Sequence, residues 1–118
     1  MKRDMELVKK ILKRIEEHET NELIYEIALE DYDSQKIYYH CHLLIEANLI
    51  EGEVDRALGG RMRIIRIYGL SWDGHEFLDA AKNEKVWNSV KDKIKEQSIS
   101  IPFSIMKNLL LEKLSDLL

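Results

Sequence analysis

The stretch from Asn48 to Leu70 reads NLIEGEVDRALGGRMRIIRIYGL. Two runs rich in β-formers, Leu49 to Asp55 and Met62 to Tyr68, bracket the loop Arg56-Ala57-Leu58-Gly59-Gly60-Arg61. β-type runs around a Gly-Gly pair predict an antiparallel hairpin over residues 49 to 68, with its tip at Leu58 to Arg61. The second run alternates imperfectly, and the adjacent Ile64 and Ile65 mark a bulge or a strand covered on both sides.

Outward from the hairpin the pattern turns helical. Upstream, Asp33 or Ser34 caps a helix running to about Ala47. Ile37, Cys41, Leu44 and Ile45 share its inner face, with Tyr38 at the edge. Gln35, Lys36, Tyr39, His42, Leu43 and Glu46 lie opposite. Asn48 stands at the position after the cap, where a left-handed backbone is common. Leu23 to Leu29 predicts a short strand. Asp4 to Glu17 predicts a first helix, with Asp4 as N-cap, Met5, Val8, Leu12 and Ile15 as the apolar stripe, and Lys9, Lys10, Lys13 and Arg14 on the solvated side. Downstream, Ser71 caps a helix carrying Gly74 in its first turn, where close approach to a neighbour offsets a cost of about 1 kcal/mol. Asn83 caps the next helix, to about Gln97, with Trp87, Val90 and Ile94 on one face, and Pro102 opens a last one. Helix, short strand, helix, hairpin, helices is an α+β order of winged-helix type. The expected division is a winged-helix-like domain over 1–83 and a helical extension over 84–118. The segment Leu23 to Asp33 leaves little room for the middle helix of a full helix-turn-helix, which weakens the case for standard DNA docking.

Bulk composition fits one ordinary domain of 118 residues. A net charge of -4 argues against a strong nonspecific nucleic-acid binder. A single cysteine, Cys41, allows no internal disulfide and suits a reducing compartment. The start has no signal-peptide pattern and no run approaches a membrane span, so a cytoplasmic location away from membranes is expected.

Two segments carry a resemblance. Tyr39 to Ile50 (YHCHLLIEANLI) is similar to the end of a winged-helix recognition helix, with Asn48 where glycine is usual. Leu70 to Leu78 (LSWDGHEFL) is similar to the segment that follows the wing in many such proteins. The start MKRDM, the block from Ser71 to Ala81 and Val86-Trp87-Asn88 together resemble a family of small phage and prophage proteins, domain of unknown function 2513. The resemblance implies a winged-helix-like fold and a bacterial or phage setting, and no activity.

Two binding functions follow. As a DNA-binding regulator, the chain would offer Gln35, Lys36, Tyr39 and His42 to the major groove of double-stranded DNA and Arg56, Arg61, Arg63 and Arg66 to phosphates or the minor groove. As an interaction module, it would use the fold as a scaffold for a phage or host protein. No metal, cofactor or catalysis is expected. His40 and His42 lie about 160° apart on a helix, His75 and Asp79 lack a third ligand, and neither a nucleophile elbow nor a phosphate loop is present. Trp72, Phe77 and Trp87 are expected in the core. The last helix carries leucine around half its wheel, and Phe103, Met106, Leu110, Leu114 and Leu117 are the expected homodimer seam.

Overall fold

The computed structural model describes residues 3–18, 21–56, 58–97 and 102–117. The order is α1 (Met5–Glu16), α2 (Ser34–Glu46), β1 (Ile50–Arg56), a 3-10 turn (Leu58–Gly60), β2 (Met62–Leu70), α3 (Trp72–Ala81), α4 (Glu84–Gln97) and α5 (Phe103–Leu117). The chain is α+β, with one antiparallel hairpin among the described residues. It falls into two compact units, Met1–Gly74 and His75–Leu118.

The helix starts are set as their residue types dictate. The Asp4 carboxylate accepts from Leu7 N–H, that of Asp33 from Gln35 N–H, the Ser71 hydroxyl from Gly74 N–H and the Asn83 side chain from Val86 N–H. At the end of α2, Asn48 adopts φ 61°. Asn48 N–H then donates to Ile45 O at 3.0 Å and Leu49 N–H to Leu44 O at 2.9 Å, the paired bonds of a Schellman stop.

β1 and β2 pair from Ile50↔Leu70 to Arg56↔Met62, with register shifts that leave Tyr68 and Ile65 as extra residues of β2. The bulge expected at Ile64-Ile65 is therefore present. Gly59 and Gly60 both sit at φ 80° at the tip, a backbone that glycine adopts without strain. At the root, Ser71 N–H donates to Leu49 O at 3.0 Å and the Ser71 hydroxyl to Asn48 O at 2.5 Å. A Cβ on Gly74 would collide with that same Leu49 carbonyl. The close approach expected at Gly74 is thus to the strand entry.

The core of the first unit joins Leu7, Val8, Ile11, Leu12 and Ile15 of α1 with Ile37, Cys41 and Leu44 of α2 and Ile64 and Ile67 of β2. In the second unit Phe77 and Trp87 are fully buried and meet edge to face at 6.4 Å.

Several expectations are corrected. Leu23 to Leu29 is not a strand: Ile24 alone pairs, with Ile67, and the rest is irregular. Its buried residues, Ile24 and Ile27, are three apart, which a strand of period two cannot place on one face. Trp72 is 79% exposed rather than core. It lies two residues, about 200° around the helix, from the inward-facing Gly74. Ile45 is half-buried, and Lys9 is buried at the edge of the α1 stripe. No helix occupies the described residues between α1 and α2. Ile94 and Phe103 have side chains outside the described residues.

Candidate functional site

Helix α2 would be the reading head of a winged helix, and its outer face is partly covered. Every side chain from Gln35 to Ile45 is buried or half-buried. Gln35 spends its amide on the main chain of β2: its Nε2 donates to Met62 O at 3.0 Å and its Oε1 accepts from Met62 N–H at 2.7 Å. Lys36 pairs with Asp4 at 3.1 Å and lies 5.6 Å from the Tyr32 ring centroid. Tyr39 packs edge-on to His40, and His42 contacts Glu46 one turn later at 2.8 Å.

His40, weighed in the sequence only as a metal ligand, has a different role in the fold. It is fully buried. Its Nε2 accepts from Asp4 N–H at 2.8 Å, and its Nδ1 donates to Lys36 O at 2.8 Å. A main-chain N–H only donates and a carbonyl only accepts, so the ring is the neutral Nδ1–H tautomer. Burial lowers its pKa and outweighs the opposing pull of the Lys36 carbonyl and Asp4. Burial also pushes the Asp4 carboxyl up, but bonds from Leu7 N–H and the Lys36 ammonium overcome that and leave it below its usual value. One residue thus caps α1, anchors His40 through its amide and holds Lys36.

The outer face of the hairpin is a charge ladder. Glu51, Glu53 and Asp55 alternate outward along β1, while Ile50, Gly52 and Val54 face in. Opposite them, Arg63 lies 3.5 Å from Asp55 and Arg66 3.4 Å from Glu53. The Tyr68 hydroxyl, Glu53 and Tyr25 raise the Arg66 pKa, the hydroxyl most. Tyr25 and Tyr68 follow directly on the bridged pair Ile24 and Ile67 and stand 63% and 56% exposed on that face. Arg56 and Arg61 are exposed beside the tip and form no ion pair among the described residues.

The eight residues expected to touch DNA are therefore in different settings. Lys36, Arg63 and Arg66 are paired with carboxylates, Gln35 is committed to Met62, and Arg56 and Arg61 stand apart at the tip. Along β1 the outward Glu-x-Glu-x-Asp, set against Arg63 and Arg66 by the hairpin register, is the sequence signal for this pairing. In the second unit Met106 and Leu110 are buried within the chain itself, Leu114 is half-buried and Leu117 is 53% exposed. A cavity of about 170 Å³ between α4 and α5 is lined by Lys85, Val86, Ser89, Lys113, Asp116 and Leu117.

Cys41 is buried, and its thiol pKa is pushed up to about 12 by that burial, the setting of an inert core thiol. Among the described residues no group of three His, Cys, Asp or Glu side chains is placed to hold a metal ion. None of the described helices is long and apolar enough to cross a membrane.

No solved structure matches the chain. An uncharacterised protein of Haemophilus influenzae (strain ATCC 51907 / DSM 11121 / KW20 / Rd) is 35% identical over 108 residues, which covers 91% of this chain and 90% of that protein. A family model described as hypothetical protein (DUF2513) matches residues 2–100, from the start of the chain to beyond α4. With most of its length matched in this way, the chain belongs to the DUF2513 family of hypothetical proteins.

Proposed function

We propose that the chain is a non-enzymatic, winged-helix-like accessory protein of the phage or prophage type that works by binding another protein, through the outer face of its hairpin. The observation that carries this is the state of the DNA-reading parts. On helix α2 no residue from Gln35 to Ile45 is fully exposed, Gln35 and Lys36 are committed to Met62 and Asp4, and the wing arginines Arg63 and Arg66 are already paired with Asp55 and Glu53. Phosphate binding would have to break those pairs or do without them, in a chain of net charge -4. Exposed tyrosines beside paired charges suit a protein surface, where Tyr supplies large contact area at low entropic cost.

A DNA-binding regulator is the second reading, and Arg56 and Arg61 favour it, since both are exposed at the hairpin tip. Fluorescence anisotropy with a mixed-sequence duplex at low salt separates the two. The expected result is no saturable binding at micromolar protein. Binding whose logarithm falls with log salt at a slope near -2, about -0.9 per phosphate contact, and flattens in Arg56→Ala/Arg61→Ala, would install the DNA reading instead.

A further inference from the structure

We infer that the outer face of the hairpin is a self-complementary surface and that its partner is a second copy of this chain. The inference rests on that face being protein-binding, as proposed above, and adds the occupant. One strand of the face is acidic, through Glu51, Glu53 and Asp55, and the other basic, through Arg63 and Arg66. Tyr25 and Tyr68 supply the apolar area beside them.

Symmetry decides what such a face can meet. Most soluble homo-oligomers close on a two-fold axis, which brings the same patch of both copies together. Two hairpins stacked about an axis running along the strands place β1 of one copy over β2 of the other at the same height. Glu53 then faces the partner's Arg66, and Asp55 the partner's Arg63. Each arginine, already beside one carboxylate, gains a second of opposite charge. An axis across the strands would set acid on acid and base on base, and edge-to-edge pairing of β1 would align its own carboxylates. Of these, the first arrangement sets both Glu53 and Asp55 against arginines, while Glu51 stands over Gly69. The strands hold seven and nine residues, so the face is at most about 30 Å long by the rise of a β-strand. It is below the area of a standard stable interface, which makes the dimer weak, in the micromolar range or above, and sensitive to salt.

Sedimentation velocity over a concentration series tests this. The native chain should pass from monomer to dimer as concentration rises at low ionic strength and return to monomer as salt is added. Glu53→Arg and Arg66→Glu should each weaken self-association about tenfold, with unchanged circular dichroism. An equimolar mixture of the two variants should regain native-like association, because opposite charges then meet across both contacts. The intrachain Glu53–Arg66 pair is broken in both variants, so recovery on mixing comes only from contact between copies. A native chain that stays monomeric throughout, a mixture no better than its parts, or a dimer indifferent to both substitutions overturns the inference. The first of these together with no duplex binding leaves the protein-binding reading standing, whereas salt-dependent duplex binding through Arg56 and Arg61 removes that reading itself.

Discussion

Gly74→Ala separates local propensity from tertiary constraint, because the two predict opposite signs. Gly74 lies inside α3, where alanine is favoured over glycine by about 1 kcal/mol. A methyl group there meets the Leu49 carbonyl, main chain that cannot rotate away. The same carbonyl accepts from Ser71 N–H, and the Ser71 hydroxyl bridges Asn48 O and Gly74 N–H. Relieving the overlap means moving α3 off the strand entry. Overpacking of this kind costs about 1–3 kcal/mol, and each hydrogen bond lost costs a further 0.5–1.5 kcal/mol or about that. Set against the propensity gain, the variant should be destabilised by about 1–3 kcal/mol. Urea denaturation followed by far-ultraviolet circular dichroism measures it as a lowered midpoint, with Asp79→Ala, an exposed change on the same helix, as the near-neutral control. A Gly74→Ala protein as stable as the native chain, or more so, would refute the close-approach argument.

Other outcomes follow from single contacts. Asn48→Gly should hold or raise stability and Asn48→Val lower it by about 1–2 kcal/mol, since the residue sits at φ 61° where a Cβ is strained; thermal midpoints rank the three proteins. Leu44→Ala, at a site with no exposure, should cost about 2–5 kcal/mol in chemical denaturation. The His40 pKa is lowered in the fold from its ordinary 6.5, so the unfolded chain takes up a proton first. Stability is complete above about pH 6.5 and falls as the pH drops below it, by at most about 1.4 kcal/mol per pH unit for one proton. The difference between native and His40→Gln denaturation curves isolates this slope, and its absence would contradict the neutral tautomer assigned from Asp4 N–H and Lys36 O.

Elements written in local chemistry were legible in the sequence. The hairpin shows in Gly59-Gly60 between β-rich runs, the caps in Asp4, Ser71 and Asn83, and the stop of α2 in Asn48, because each depends on neighbours in the chain. What was not legible depends on partners distant in sequence. The apolar run at Leu23 to Leu29 resembles a strand until Ile24 alone finds Ile67. Trp72 looks like core by residue type, but Gly74 fixes which side of α3 faces inward and so turns Trp72 out. Helix geometry sets His40 apart from His42, but its role shows only when Asp4, 36 residues earlier, arrives with its N–H.

Gln35 ties helix α2 to the hairpin. Read as a side chain on an open helix face, it is a reader of adenine. In the fold its amide binds both main-chain groups of Met62, beside Arg61 at the tip end of β2. At the other end of the hairpin, Ser71 and Gly74 hold Leu49. The hairpin is thus fixed to α2 at the tip end and to the start of α3 at its root, and only the turn around Gly59 and Gly60 projects beyond these ties. A surface held at both ends meets a partner already in its bound shape, so association loses little conformational entropy. That favours the outer face, with Glu53, Arg66, Tyr25 and Tyr68 preset, over a wing that must adapt to a groove. It also makes Gln35→Ala informative: it removes no charge and leaves the outer face chemically intact, yet frees one end of β2. Hydrogen exchange at Met62 and Arg63 should then rise, and self-association should weaken through lost pre-organisation alone. Unchanged exchange at those amides would mean that Gln35 does not hold the hairpin.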